Sequence, residues 1–467
     1  LVHTECGKMT ISVGNVVENA LPDSANDVGK WRILKNIAII SVAFLLQFTA
    51  FQGTGNLQSS INADGGLGTM SLSAVFGAII ISCIFIPTLA IKKLTTKWTL
   101  CCSMLCYVPY LAAQFYPRIY TLIPAGCLAG LGAAPMWASQ STYLAQVAHV
   151  YARITNQSIE AIIVRFFGIF YLCWDSAELW GNLISSLILS PPPTQSSNAT
   201  EDYSLCGANF CAANLKEIPN LQRPADREIF LIMGIYLACI FLAVILLACF
   251  LDPLTMYGEQ KGGEVSIAKL LQASFKQFCK TNQLLMIPLT ISVGIEQAIL
   301  AADLTQAFIS CTLGIDEIGF ILVSFGIFDG FCSVLFGFLT KRHGRIRILV
   351  IGLSAMFGSY FVMLFWHPTP HERWMFFVVC GLYALADAIM QTQLNGIYGA
   401  IFAQNKEAAF SNYRLWESIG FLMTYALSTT LCARFKLIGA LGVLAVGVAG
   451  WTVVECREKY SKVNRAT

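Results

Sequence analysis

The chain has 467 residues, 56% of them hydrophobic and only 12% charged, with 30 Lys and Arg against 27 Asp and Glu. Soluble chains carry about 25% charge, and here the apolar residues gather in blocks of roughly twenty, the length that crosses about 30 Å of hydrocarbon as helix. That pattern excludes a soluble globular enzyme, a disulfide-framed secreted domain and a nucleic-acid binder, and it defines an integral membrane protein.

Twelve spans are predicted, at about 36–56, 71–91, 99–116, 120–145, 164–189, 229–250, 284–308, 317–340, 347–366, 374–399, 411–432 and 437–455. The expected fold is an all-α polytopic membrane protein of two six-helix halves with both termini cytoplasmic. Residues 1–35 are expected to form a cytoplasmic N-terminal segment, 36–250 the first half with an exterior loop at 190–228, 251–283 a cytoplasmic linker with an amphipathic helix, 284–455 the second half and 456–467 a short cytoplasmic tail. With this threading, 23 of the 30 basic residues fall in cytoplasmic segments and 7 outside, as Lys/Arg bias requires. One missed helix would invert every later loop and destroy the asymmetry.

The longest exterior loop, about 190–228, carries the acceptor sequence Asn198-Ala-Thr200, and glycan is expected on Asn198. A second acceptor sequence, Asn156-Gln-Ser158, falls in a cytoplasmic loop and should stay bare. Cys206 and Cys211 lie in the same exterior loop, where an oxidising compartment favours their pairing with each other over two free thiols. The remaining cysteines read as small hydrophobes or free thiols.

The two halves align sparsely: Phe76-Gly77 falls on Phe325-Gly326 and Lys92-Lys93 on Lys341-Arg342 at one offset of 249. Such matches suggest parallel repeats about an axis along the membrane normal. The second of these turns, GFLTKRHGR over 337–345, resembles the signature loop of the major facilitator superfamily, with Gly337, Arg342, Gly344 and Arg345 matching. Lys341 stands where that loop has an Asp, which puts its transport-cycle latch in doubt. In the linker, Ile267, Leu270, Leu271, Phe275 and Phe278 make one apolar face, expected to lie along the inner membrane surface.

Seven carboxylates lie within spans: Asp175, Glu178, Glu296, Asp303, Asp329, Asp387 and Glu417. A charge at mid-bilayer costs at least about 2.5–3.5 kcal/mol, so such groups pair, face the bundle interior or stay protonated. Glu296 and Asp303 are two turns apart on one helix face, and Asp175 and Glu178 share another. Basic partners at this depth are confined to Arg165 and Arg414. Two readings stand: a proton- or cation-responsive site, or interhelical hydrogen bonds from neutral acids. Gln47, Gln52 and Asn56 in the first span, with Gln391, Gln393 and Asn395 in the tenth, would line a central cavity with Glu296, Asp303, Asp329 and Asp387. Asp175, Glu178, Arg414 and Glu417 would form an interhelical network. Gly126, Gly130, Ala134 and Ala138 repeat at four-residue spacing as a close packing face. Signatures of an enzyme, a metal cluster or a cofactor site are absent from the sequence.

Several strings are narrower in their resemblance. NKEAAFSNYRLWESIGF (405–421), ADAIMQTQLNGIYG (386–399), LGAAPMWASQSTYL (131–144), GNLISS (181–186) and NLQSS (56–60) resemble the uncoordinated-ninety-three-like family, especially its A-type branch. The exterior Cys206 and Cys211 fit it as well, and the resemblance runs from about Trp31 to Glu455. It implies the facilitator fold and a non-enzymatic regulatory partner role, foremost on a two-pore-domain potassium channel with its small accessory subunit at the plasma membrane. The altered latch agrees with a protein that no longer cycles. The alternative is a proton- or cation-coupled secondary transporter of a small solute. Escort of Toll-like receptors through endoplasmic reticulum and endosomes is a lesser one, disfavoured by the short tail.

Overall fold

The computed structural model describes residues 29–189, 203–211, 221, 223–257, 280–402 and 406–466. Among them the secondary structure is helical throughout: α1 Lys30–Ile61, α2 Leu67–Leu105, α3 Val108–Ala112, α4 Ile119–Thr155, α5 Ile159–Ile188 and α6 Asp226–Phe250. The second series is α7 Thr281–Ala298, α8 Glu317–His343, α9 Arg345–Phe365, α10 Arg373–Ile401, α11 Lys406–Ala426 and α12 Ala433–Ala466. Nine helical stretches among the described residues are long and apolar enough to cross a membrane. The third, fifth and eleventh expected spans are not among those nine. The third is interrupted after Leu105, and α5 and α11 carry too many charged and polar residues.

Local chemistry explains the breaks. α2 contains Pro87 and reaches a positive φ of 67° at Thr95, so the second and third expected spans meet at a corner just beyond Lys92-Lys93. α4 ends on Asn156 in the left-handed conformation, φ 51°, a residue type that tolerates it at a helix C-terminus. That places the second acceptor asparagine in a helix cap. Between α8 and α9, Gly344 adopts φ 85°, which side chains rarely reach.

The described helices cluster into two units: Leu1–Asn56, Gly77–Ser190 and Pro224–Ile267 in the first, and Leu57–Phe76, Pro191–Arg223 and Ala268–Thr467 in the second. The division differs from the expected halves at two places, since the α1–α2 turn and the described loop residues 203–211 group with the C-terminal helices. In unit 1, α4 packs on α5 and α3, and α6 packs on α3 and α5. Tyr236 donates to the Gly181 carbonyl at 2.7 Å. A Cβ on Gly181 would stand 2.6 Å from the Thr49 carbonyl oxygen, so α1 and α5 cross backbone to backbone. On α4 a tight contact is at Gly132, against Ser103 and Cys106. Of the expected Gly126–Ala138 row, Gly126 and Gly130 are buried and Ala134 and Ala138 half-buried.

In unit 2, α7 packs between α11 and α12, while α10 packs on α8 and α9. Gly294 and Gly420 face each other's helix backbones, as do Gly447 and Gly450 with α7 at Leu289 and Leu285. Past Ala298, α7 continues as a π-helix over Ile299–Ser310. The wider turn changes the angular step per residue, and such π segments concentrate at functional sites. The α1–α2 turn is seated on this stretch. Ser59 and Ser60 hydrogen-bond Thr305 and Ser310 at 3.1 and 3.0 Å, and the Gln306 amide donates to the Ser59 carbonyl. Phe76 stacks on Phe421 with ring centroids 4.1 Å apart.

Candidate functional site

The acids of α7 have unequal surroundings. Asp303, in the π-helix, is ion-paired with Lys436 of α12, both side chains being nearly inaccessible at 5% and 7%. Lys436 also donates to Ser428 at 3.4 Å. This corrects the expectation that Arg165 and Arg414 are the basic partners at depth: Lys436 falls between the expected spans 411–432 and 437–455, and the start of α12 brings it to Asp303. Asp303 is therefore already neutralised. Glu296, seven residues earlier, is 1% exposed, and neither carboxylate oxygen has a hydrogen-bond partner among the described residues. Its electrostatic neighbours are Asp387 of α10 and Asp329 of α8. The buried side chains of Tyr360 and Tyr383, edge to face with centroids 6.1 Å apart, lie in its field. In unit 2, Asp387 and Asp329 thus act on Glu296 from two other helices.

The polar residues of α10 divide their roles. Gln297 of α7 donates to Asp387 at 3.3 Å. Gln391 accepts from the Tyr413 hydroxyl at 3.3 Å, and Gln393 donates to Thr340 of α8 at 2.9 Å. Asn395 bends back to the Gln391 carbonyl of its own helix at 2.7 Å. Of the expected cavity group, then, Asp329 and Asp387 are electrostatic neighbours of Glu296, while Gln393 and Asn395 tie helices or their own backbone. Arg414 and Glu417 do pair, at 2.6 Å on one helix face, with Tyr413 also reaching Glu417 at 3.4 Å. The arginine side chain is 59% exposed and the carboxylate 6%, so Arg414 reaches down from the surface.

In the basic turn, Arg342 and Gly344 are exposed, and Arg345 pairs with Glu455 of α12 at 2.9 Å. An acid from α12 thus engages this loop, whose own sequence carries Lys341 in the place of the usual Asp.

Unit 1 holds Gln47, Gln52, Asn56, Asp175 and Glu178. Asn56 donates to Asn182 at 3.0 Å and to Glu178 at 3.3 Å, bridging α1 and α5. Asp175 is exposed on α5, whereas Glu178 is half-buried. The Glu178 bridge and the Arg414–Glu417 pair fall in different units. Gln47 is fully buried, and neither polar atom of its amide has a partner among the described residues. It sits beside an aromatic cluster in which Phe48 and Trp137 lie 5.3 Å apart and Trp137 and Trp174 5.5 Å apart.

The sequence reading missed Asp252. It accepts from Arg32 at 2.8 and 3.1 Å, from Asn36 at 3.0 Å and from Tyr257 at 3.2 Å, with Lys35 at 3.5 Å. Tyr143 donates to its carbonyl at 2.8 Å. Burial works against its charge, but the hydrogen bonds from Arg32 and Asn36 and the charges of Lys35 and Arg32 outweigh it and hold the carboxyl at about 2, below its ordinary 3.8. One signal was available: an acid just past the C-terminus of α6 opposes the helix dipole and calls for a basic partner.

Cys206 and Cys211, expected to pair with each other, do not. Cys206 is bonded to Cys311 and Cys211 to Cys432. The loop turns through Gly207, φ 72°, against Pro368 and Phe308, and Phe210 accepts from the Ala433 amide at 2.9 Å. The segment therefore folds onto the ends of the π-helix and of the α11–α12 connection, burying Cys206 instead of closing on itself. Asn198 and the amphipathic stretch 267–278 lie outside the described residues. No group of three or more His, Cys, Asp or Glu that could hold a metal occurs among the described residues.

Long helices carrying buried acids and polar bridges define a polytopic membrane protein with the fold of solute carriers. The nucleoside transporter NupG superposes with a TM-score of 0.62 at 12% identity, over 89% of this chain and 98% of its own. The xylose transporter XylE from E. coli, in a partially occluded inward-open conformation, gives 0.58 at 12% identity, over 90% and 97%. The family model described as "Ion channel regulatory protein UNC-93" matches residues 58–449, and the chain belongs to that family. "Protein unc-93 homolog A" of Xenopus laevis is 41% identical over 91% of this chain and 94% of its own length, and the human homolog A is 37% identical over 92% and 95%. The "Putative potassium channel regulatory protein unc-93" of Caenorhabditis elegans is 32% identical over 93% of this chain and 62% of its own length.

Proposed function

We propose that the chain is a secondary transporter of a small solute, coupled to protons or a small cation through Glu296. The observation that carries this reading is the bare carboxylate itself: buried, unpartnered and beside Asp329 and Asp387. A charge left so in the bilayer costs at least about 2.5–3.5 kcal/mol, so a proton or a bound cation neutralises it. Groups of this kind mark proton and ion pathways in membrane proteins. The superposition on nucleoside and sugar carriers supports the same reading through fold alone.

The test is solute-jump electrophysiology on reconstituted full-length protein, with nucleosides, pentoses and dipeptides as probes under imposed pH and Na⁺ gradients. Gradient-dependent current with any class, lost in Glu296→Gln, supports the proposal. Absence of current with every class and gradient overturns it. A second reading, a regulatory partner of a potassium channel in the plasma membrane, rests on the family's description and on the name of the nematode relative. Affinity purification from native membranes that returns a stoichiometric channel subunit, with no flux in liposomes, would favour it.

A further inference from the structure

Glu296 lies where α7 and α11 pass closest to each other. A Cβ on Gly294 would collide with the Glu417 carbonyl oxygen, and one on Gly420 with that of Ile291, so the two backbones are in contact. Glu296 and Glu417 therefore belong to adjoining turns of two helices, and both are buried. Asp387 of α10 stands beside them, held at 3.3 Å by the amide of Gln297, the next residue after Glu296. From Asp387 the hydrogen bonds run on without a break. Gln391 bonds the Asp387 carboxylate and accepts from the Tyr413 hydroxyl at 3.3 Å. Tyr413 also reaches Glu417 at 3.4 Å, and Glu417 pairs with Arg414 at 2.6 Å. Arg414 is exposed, so the series opens at the surface of α11 and ends at the bare carboxylate. The other polar groups around it come from three helices. Asp329 of α8 acts on Glu296, Tyr360 of α9 and Tyr383 of α10 lie in its field, and Lys436 of α12 is engaged by Asp303.

Buried acids in series are the material of proton relays in membrane proteins. The acids around Glu296 do not form a group that could hold a metal ion among the described residues, whereas a proton needs only one oxygen. We propose that the proton taken up by Glu296 arrives through Glu417 and Asp387, entering α11 beside Arg414. The inference rests on the transport reading above and adds to it the ion and its route. Glu417 takes the proton from water at the exposed end, Asp387 takes it from Glu417, and Glu296 takes it from Asp387. At each step one O–H bond breaks on the donor carboxyl, one forms on the acceptor carboxylate, and the donor is left as the anion. Arg414 supplies the countercharge each time Glu417 returns to that state. An amide passes on no proton, so Gln391 positions Asp387. Tyr413 has one hydroxyl hydrogen for two acceptors, and it turns between Gln391 and Glu417 as the charge on Glu417 changes.

The test follows protonation itself, so it does not depend on knowing the solute. Full-length protein in detergent is taken through a rapid drop from alkaline to neutral pH, and the carboxyl C=O bands are recorded by time-resolved infrared difference spectroscopy. The band that Glu296→Gln removes belongs to Glu296. In Asp387→Asn and in Glu417→Gln that band should reach its wild-type amplitude about a hundredfold more slowly, the contribution of a positioned proton donor. A merely structural loss would lower the amplitude instead of the rate. Tyr413→Phe keeps both acids and the buried ring, and it should slow the rise by a smaller factor; where an acid variant fails to fold, it decides. Asp64→Asn, an exposed acid of the α1–α2 turn, should leave the rate unchanged. A Glu296 band that does not respond to pH overturns the proposal, as does a wild-type rate in Asp387→Asn, Glu417→Gln or Tyr413→Phe. Failure of the transport reading shows separately, as absence of gradient-dependent current in the wild type.

Discussion

Asp252 in unit 1 receives hydrogen bonds from Arg32, Asn36 and Tyr257, whereas Glu296 in unit 2 receives none among the described residues. Both acids are largely covered, yet one is held as an anion by its neighbours and the other faces further acids. Asp303 offers a third state on the same chain segment as Glu296: buried to the same degree, and matched by Lys436. A covered carboxylate with its donors supplied acts as a fastener. One left without them costs stability, and membrane proteins retain such groups where ions or protons pass.

The sharpest test of this contrast is Lys436→Met. It strands Asp303 as a buried acid without its cation, and a loss on the order of 3–5 kcal/mol is expected. Joined to Asp303→Asn, most of that loss should return. Both are read as thermal unfolding midpoints of detergent-solubilised protein, and a wild-type midpoint for Lys436→Met would dissolve the distinction.

Asp252 is next in size. Its carboxyl moves from 3.8 to about 2, which at 1.36 kcal/mol per unit stabilises the fold by about 2 kcal/mol. Because the folded-state value is the lower one, that contribution is complete above about 3.8 and disappears as pH falls towards about 2. Asp252→Asn should therefore lower the midpoint at pH 7 and narrow the gap to wild type when both are scanned near pH 2. A constant gap across that window would show that the Arg32 pair does not set the carboxyl.

The smallest stability effect belongs to Glu296→Gln. Replacing an unpartnered acid by a neutral isostere should leave stability within about 1 kcal/mol of wild type or raise it, while abolishing gradient-dependent current. A loss as large as that for Lys436→Met would mean that Glu296 has a structural partner and the comparison fails.

How much of this was legible in the sequence depended on whether a residue announces its partner. Apolar blocks set most helices, and Arg414 three residues before Glu417 is a pair that spacing alone exposes. Asp303 and Lys436 are 133 residues apart, and a lysine at a span's exterior end looks like any loop charge. Cys311 and Cys432 sit at the edges of apolar spans, where a cysteine is indistinguishable from a small hydrophobe. The π-helix that carries Asp303 leaves no periodic trace, because its wider turn mimics an ordinary apolar run. Glu296 was legible as a buried acid, but its lack of donors depends on what α8, α9 and α10 do not place beside it.

The cysteine pairing also sets an order of events during synthesis. Cys206 and Cys211 leave the ribosome together, long before Cys311 and Cys432, their partners at separations of 105 and 221 residues. During that interval each is the other's nearest thiol in sequence, so a short-range bridge between them is the expected first oxidation product, which thiol–disulfide exchange would then undo. Chains arrested near residue 300 should carry a Cys206–Cys211 bridge on non-reducing peptide maps, and full-length chains should not. A nascent chain with both thiols still free would show instead that oxidation waits until the C-terminal helices arrive.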